Sequence, residues 1–369
     1  MIRLLIINTQ GLRREGITST IISTLDYMKK DDIEISLAIV GDSDYETLNH
    51  LSELGCKLIK LKRRKGNTIA YFIELVRLCK VEKYDIIHIH GSSSLISLEL
   101  MAAYLGGIKK RIAHCHNTQC SHEFINAILK PVLNLLATDR FACGNEAGKW
   151  MFGRHQFRIV HNGKNLSDYE FNPITRKKMR DSYGVSNSLV LGHVGNFNCQ
   201  KNHEFIIDMF VKLSDRNDKW KLVLVGEGEN LPKIKKMVTE NHLDDKVIFA
   251  GSVSNVSDYL QLFDVAILPS RFEGLPVVAI EYQASGLPVL MSSNITKECA
   301  PTELVTFMNL EDDKSKWIDS IRIFDEKTRK DKSLDACNIL RNKGYDIREV
   351  SVNLLKYYIQ MYKGETNEK

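Results

Sequence analysis

The sequence predicts an α/β protein of two doubly wound, Rossmann-like domains facing a central cleft. Three observations carry this. Short β-rich runs alternate with helical-period segments from end to end, the alternation breaks in a polar stretch near the middle and restarts, and 369 residues suit two cores better than one. The runs Arg3–Asn8, Glu34–Val40, Cys56–Leu61, Ile86–His90 and Ile112–His116 are continuous and apolar, as strands buried on both faces are. Between them Thr18–Lys30, Tyr45–Leu54, Asn67–Val81 and Ser94–Leu105 read as helices, so the strands are parallel with right-handed crossovers. Phe124–Thr138 is apolar on most sides and interrupted by Lys130 and Pro131; it reads as a core helix or as a face dipping into a bilayer.

The pattern resumes with strands at Val190–Val194, Lys221–Val225, Val247–Phe249, Val265–Leu268 and Pro288–Met291. The intervening helices are Glu204–Leu213, Leu231–Asn241, Ser257–Leu262 and Val277–Ala284. The expected domains are therefore 1–168 and 169–345, with the linker inside Gly163–Val185. A C-terminal helix, Arg348–Tyr362, and tail fill 346–369 and could pack back on the first domain. Open α/β sheets bind ligands at the carboxyl ends of their strands, so functional residues are expected there.

Composition excludes several classes. With 43% apolar and 26% charged residues the chain is neither disordered nor fibrous. Eight cysteines without a Cys-x-x-Cys pair fit thiols in a reducing compartment. No signal-peptide layout or membrane-spanning run is present, which predicts a cytoplasmic protein. Residues 1–168 hold 23 Lys+Arg against 17 Asp+Glu, whereas 169–369 hold 28 against 29, so the net charge of +5 originates in the first half. Lys57, Lys60, Lys62, Arg63, Arg64 and Lys65, then Lys109, Lys110 and Arg111, read as solvated loop charge or as contacts for anionic lipid or a phosphorylated substrate. No recognition-helix or aromatic-and-basic strand pattern points to nucleic acid.

The densest constellation is Ser270-Arg-Phe-Glu273-Gly-Leu-Pro276, leading to Glu281. Pro276 suits the first turn of a helix, and the N–H groups of Gly274 and Leu275 would then offer a positive helix end to phosphate or sugar oxygens. Glu281 lies eight positions after Glu273, which as two helical turns would put both carboxylates on one face about 10 Å apart. That suits two ends of an extended ligand better than one metal ion, and a carboxylate accepts vicinal hydroxyls well. A solvated acidic helix start is the plainer alternative. Gly226-Glu-Gly228 lacks the third glycine of a dinucleotide fingerprint, so NAD is not expected. His88, His90, His114 and His116 alternate along two strands. Their spacing, even with Cys115, Cys120 and His122 nearby, is not a zinc-ligand pattern, and polar strand ends satisfied by backbone suit His88 and His114. No Asp-x-Asp pair is read at a strand end, so no metal is expected.

Glu-x7-Glu with Gly-Leu-Pro after a strand resembles the signature of family-4 retaining glycosyltransferases of the GT-B fold. Leu191-Gly-His-Val-Gly195-Asn-Phe-Asn-Cys-Gln-Lys201-Asn, Val225-Gly226-Glu-Gly228, Ile159-Val-His-Asn162-Gly163, Asp85-Ile-Ile-His-Ile-His90-Gly and Arg111-Ile-Ala-His-Cys-His116 extend the resemblance over nearly the whole chain. Gln-Lys-Asn-His and Ile295-Thr-Lys-Glu298 resemble the bacterial capsular and exopolysaccharide branch. The resemblance implies a nucleotide diphosphate sugar donor, a UDP-sugar, and a lipid-linked or other glycan acceptor at the cytoplasmic face of an anionic membrane, with no cofactor besides the donor. Transfer would retain anomeric configuration, the departing phosphate oxygen taking the acceptor's proton.

By the same resemblance, Lys201 grips the donor diphosphate beside Gly195, Glu273 contacts the transferred sugar, Glu281 the ribose, and His116 the sugar near its anomeric carbon. Leu275 and Pro276 lie against the diphosphate and sugar, and Gly226 and Gly228 let backbone approach the base. The family's arginine after Gly195 is Asn196 here, which removes one charge from the clamp; Arg271 is a candidate substitute. The loop from Gly11 to Gly16 matches one that leans over donor and acceptor, although the usual double glycine reads Glu15-Gly16-Ile17; a plain βα turn is the alternative. A non-catalytic nucleotide-sugar-binding subunit and a GT-B sugar-nucleotide epimerase are the competing readings.

Overall fold

The computed structural model describes residues 1–13, 16–120 and 122–364. The chain divides into two units, Met1–Gly163 joined by the segment from Ile347 onward, and Lys164–Asp346. The division falls a few residues ahead of 168/169 because Lys164 is tied into the second unit. Its N–H donates to the Tyr345 carbonyl at 2.9 Å, and it pairs with Asp346 in a parallel bridge.

The first unit carries strands β1 (Ile2–Asn8), β2 (Ile33–Ile39), β3 (Lys57–Lys60), β4 (Ile86–Gly91), β5 (Lys110–Cys115), β6 (Asp139–Ala142) and β7 (Arg158–Ile159). All pair in parallel in the order β3-β2-β1-β4-β5-β6-β7, so the connection reverses direction across the sheet between β1 and β4. Its helices are α1 (Gly16–Asp26), α2 (Tyr45–Glu53), α3 (Thr68–Glu82), α4 (Ser97–Leu105), α5 (Glu123–Leu136) and α6 (Asn145–Phe152). The last two strands escape the hydrophobic pattern: β6 opens on Asp139 and Arg140, and both residues of β7 are exposed.

The second unit carries α7 (Pro173–Ser182), β8 (Leu189–Val194), α8 (His203–Arg216), β9 (Trp220–Val225), α9 (Leu231–Glu240), β10 (Val247–Gly251), α10 (Val256–Leu262), β11 (Val265–Leu268), α11 (Val277–Ala284), β12 (Val289–Ser292), β13 (Val305–Met308), α12 (Lys314–Asp319) and α13 (Glu326–Asn342). Its parallel sheet runs β10-β9-β8-β11-β12-β13, over a core that includes Phe210, Leu224, Ile267 and Trp317. Within the stretch expected to be linker lies α7. Asn172 caps it by accepting from the N–H groups of Ile174 and Thr175 at 2.9 and 3.1 Å, and Pro173 occupies its first turn. Arg176 and Arg180 anchor it to Asp264 at 2.5 and 3.1 Å. A helix docked by ion pairs leaves little hydrophobic period to read.

The chain then returns to the first unit as α14 (Ile347–Lys363). Leu354, Tyr358 and Met361 join the core of Leu4, Ile6, Leu25 and Ile35, and the Ser351 hydroxyl donates to the Thr24 carbonyl at 2.8 Å. Among the described residues, no helix is long and apolar enough to cross a membrane.

Candidate functional site

In the second unit, Gly195 follows β8 and starts a loop that reaches Lys201. The loop is braced from below: Gly195 N–H donates to the Val225 carbonyl at 2.9 Å and Phe197 N–H to the Glu227 carbonyl at 2.8 Å. Gly226 and Gly228, both at positive φ, are required by this packing. A Cβ on Gly226 would sit 2.2 Å from the Gly195 carbonyl oxygen, and one on Gly228 2.5 Å from that of Phe197. Backbone of the neighbouring loop thus fills the space that a Cβ would take at either position. Asn196 is exposed at the loop.

Lys201 Nζ donates to Glu273 Oε1 at 2.6 Å, and Gln200 Nε2 donates to Glu273 Oε2 at 2.9 Å. Both side chains of the ion pair are largely buried. Glu273 stands in the loop before α11, paired with Ile295 in a parallel bridge, so it does not share a helix face with Glu281. Pro276 is the reason. It takes ψ 110° as the N-cap and biases Leu275 away from helical backbone, so the helix begins only at Val277. Leu275 and Pro276 are buried, and the N–H groups of Gly274 and Leu275 have no hydrogen-bond partner among the described residues.

Glu281, on α11, is fixed through one oxygen. Lys164 Nζ lies 2.9 Å from Oε1, and the Tyr169 hydroxyl donates to the same atom at 3.2 Å. Burial and the adjacent carboxylate push the Tyr169 phenol up from its usual range. Arg271 is turned to the loop that carries Lys201. Its guanidinium donates to the Cys199 carbonyl at 3.2 Å and to Asn202 Oδ1 at 2.9 Å, bracing the loop that carries Lys201. Gln200, Lys164 and Tyr169 were not anticipated as site residues, although Gln200 lies within the Gly195–Asn202 motif and Lys164 directly follows Asn162-Gly163.

In the first unit, Gly16 opens α1 with open space around its missing Cβ, while Glu15 lies outside the described residues. Four imidazoles stack on one face of β4 and β5. His88 Nδ1 lies 2.6 Å from the Tyr358 hydroxyl, His88 Nε2 3.0 Å from His114 Nδ1, and His90 Nδ1 2.9 Å from His116 Nε2. His88 is thus paired by side chains, one of them from α14, while His114 meets both His88 and the Val160 backbone. Burial drives His88, His90 and His114 well below the usual histidine range and His116 down to about 4, so all four are neutral near pH 7. Nitrogens of His88, His90 and His114 come within 4.8 Å of one another. Near-parallel stacking of His88 on His90, at 4.1 Å and 25°, aims their lone pairs side by side, and both nitrogens of His88 already have partners.

An Asp-x-Asp pair does follow a strand: Asp42-Ser-Asp44, after β2. Its carboxylates have other work. Asp42 pairs with Arg13 at 3.1 Å and with Arg63, while Asp44 caps α2 by accepting from Thr47 N–H at 2.7 Å.

The Glycosyltransferase Family 4 model matches residues 9–167 and the Glycosyl transferases group 1 model residues 175–299. EpsF of Bacillus subtilis (strain 168), named as a glycosyltransferase without a stated donor or acceptor, is 28% identical over 326 residues, covering 84% of this chain and 85% of its own. The UDP-Gal:alpha-D-GlcNAc-diphosphoundecaprenol alpha-1,3-galactosyltransferase of Escherichia coli is 26% identical over 308 residues, covering 78% and 79%. Among solved structures, Anabaena Alr3699/HepE in complex with UDP-glucose aligns with a TM-score of 0.81 at 16% identity, over 98% of this chain and 100% of that one, which shows the shared fold. With one domain model on each half of the chain, the protein belongs to the GT-B glycosyltransferases of the group 1 and family 4 type.

Proposed function

We propose that the protein transfers a sugar from a nucleotide diphosphate donor, a UDP-sugar, to a lipid-linked glycan acceptor with retention of configuration, in capsular, exopolysaccharide or related cell-surface glycan synthesis. The observation that carries this reading is the asymmetric use of the two carboxylates in the second unit. Both oxygens of Glu273 accept from Lys201 and Gln200, whereas Glu281 takes both its donors on Oε1. The remaining oxygen, Oε2, suits the hydroxyls of a ribose.

Lys201, beside the Gly195 loop, supplies the positive charge for the diphosphate, and the free N–H groups of Gly274 and Leu275 add donors for phosphate or sugar oxygens. Glu273 orients Lys201 and shares its oxygens with the transferred sugar. As the bond to phosphate breaks, charge grows on the leaving diphosphate, where Lys201 stabilises it. The leaving oxygen takes the acceptor's proton on the same face of the sugar. Neutral His116 contacts the sugar as a hydrogen-bonding group. The name of the Escherichia coli relative supports a UDP donor and a diphosphate-lipid acceptor. No cofactor or metal is assigned, and the protein works in the cytoplasm at the inner membrane face.

A panel of nucleotide sugars incubated with polyprenyl-diphosphate-linked sugar tests the reading. Transfer from a UDP-sugar, with the product anomer matching the donor by NMR, is the expected outcome; inversion, or transfer from no member of the panel, overturns it. Exposed Asn196 in place of an arginine favours a second reading, a nucleotide-sugar-binding subunit without turnover. Donor-induced thermal stabilisation without transfer would select it.

A further inference from the structure

Two buried histidines stand against the loop from Gly195 to Lys201 and have no part in the chemistry above: His193, on β8, and His203, which opens α8. His193 Nδ1 lies 2.8 Å from the Ile267 carbonyl oxygen, which can only accept, so the ring proton sits on Nδ1 and Nε2 carries a lone pair. That Nε2 is buried and has no hydrogen-bond partner among the described residues. Burial first, then His203 and the charge of Lys201, holds this imidazole well below the usual histidine range, so it is neutral near pH 7. A buried acceptor without a donor is unfavourable, and folded proteins keep few of them.

The lone pair borders the same space as the lysine of the diphosphate clamp. A Cβ on Gly195 would sit 2.9 Å from His193 Nε2 and 3.1 and 3.2 Å from Cδ and Cε of Lys201, so glycine leaves open the gap between the two side chains. In this structure Lys201 Nζ is turned instead to Glu273 Oε1, at 2.6 Å. His203 is placed differently. Its ring stacks on Phe197 at 3.9 Å and 19° and meets His193 in a T-shape at 4.7 Å and 87°, and neither of its nitrogens has a partner among the described residues to fix a tautomer.

We propose that His193 is a positioning residue for the donor diphosphate: when the phosphates draw Lys201 from Glu273, its ammonium donates one N–H to His193 Nε2 and keeps two for phosphate oxygens. This rests on the nucleotide diphosphate reading and adds the group that holds the lysine in its working position. The chemistry of the acceptor matters. A carboxylate partner offsets the lysine's charge, whereas a neutral imidazole orients the ammonium and leaves that charge to the phosphates. Gln200 remains on Glu273 Oε2, so Oε1 is released to the transferred sugar.

Titration calorimetry of the full chain with UDP and with inorganic diphosphate tests this. His193→Asn keeps a donor for the Ile267 carbonyl and removes the acceptor at Nε2; it should weaken UDP binding about tenfold. His193→Gln restores an acceptor at that reach and should bind within about threefold of the parent. His203→Phe should bind as the parent does. His193→Asn combined with Lys201→Ala should bind no worse than Lys201→Ala alone, because the imidazole acts through the lysine; a merely structural defect would add to the lysine's loss. Unchanged melting temperatures show that the variants fold, and His193→Leu takes the place of the asparagine variant if that one does not. Parental affinity in His193→Asn, an equal loss in His193→Gln or His203→Phe, or additive losses in the double variant overturns the contact. Transfer from a UDP-sugar by a parent whose UDP affinity is unmoved in His193→Asn sinks this contact alone. The expected ranking with inorganic diphosphate, but no transfer from any nucleotide sugar, sinks the transferase reading instead and leaves the contact standing.

Discussion

Lys201 and Glu273 meet at 2.6 Å, so neither can be altered independently of the other. Removing one partner of a buried pair leaves a desolvated charge, at about 3–5 kcal/mol when burial is complete. Lys201 keeps some solvent access and Gln200 remains on Glu273, so Lys201→Ala should cost about 1–3 kcal/mol of stability. Glu273→Gln with Lys201→Ala should cost less than the two single changes together, by about 1 kcal/mol. Denaturant unfolding of the four proteins measures this, and strict additivity would remove the pair from any joint role. In catalysis, Lys201→Ala should lose about 2–4 kcal/mol of transition-state stabilisation. The two carboxylates should also separate kinetically. Glu281→Gln should chiefly raise the donor KM, because a ribose is held equally in ground and transition states, whereas Glu273→Gln should chiefly lower kcat. The reverse assignment would refute the placement of the donor along α11. At this scale the residue types of the site were legible, and their local geometry was not. A spacing of eight is the same whether or not a helix covers it, and Pro276 carried the signal that it does not.

The strands buried on both faces were legible as elements because continuous apolar runs leave few alternatives. Elements fixed by polar contacts were not. Helix α13 is highly charged, yet its Arg329 is buried and donates to the carbonyls of Ser285, Phe263 and Leu260 at 3.1, 2.6 and 2.8 Å. The histidine face of β4 and β5 makes a prediction of its own. Burial holds these imidazoles neutral, so the unfolded chain binds more protons as pH falls below about 6.5. Their contribution is complete above that pH and is lost on acidification; for His116 the loss ends near pH 4. Each such imidazole should cost up to about 1.4 kcal/mol of stability between pH 7.5 and 5.5. His193 and His203 of the second unit, also held low by burial, add to the same trend. Denaturant unfolding at the two pH values should show that His88→Gln with His114→Gln loses about 1–3 kcal/mol less than the parent. An identical pH dependence in parent and variant would mean that these imidazoles do not titrate with unfolding.

Across the whole molecule, the carboxylates of Asp42 and Asp44 are occupied by arginines and a helix cap, so sugar transfer should survive EDTA. Loss of activity restored by manganese or magnesium would contradict this. Chain order also makes the two units unequal. Lys164–Asp346 is one continuous segment with its own core, whereas the first unit is completed by α14. Ending the chain at Asp346 removes Leu354, Tyr358 and Met361 from that core and the phenol from His88. Burial of such side chains contributes about 1.5–3 kcal/mol each. Together the loss approaches the 5–15 kcal/mol that holds a typical domain folded. The truncated protein should therefore lose the fold of residues 1–163 and keep that of 164–346. Limited proteolysis reads this directly: the second segment should persist as a resistant fragment while the first is digested. A truncated chain in which residues 1–163 resist protease as they do in the full protein would show that α14 covers the first core without supporting it.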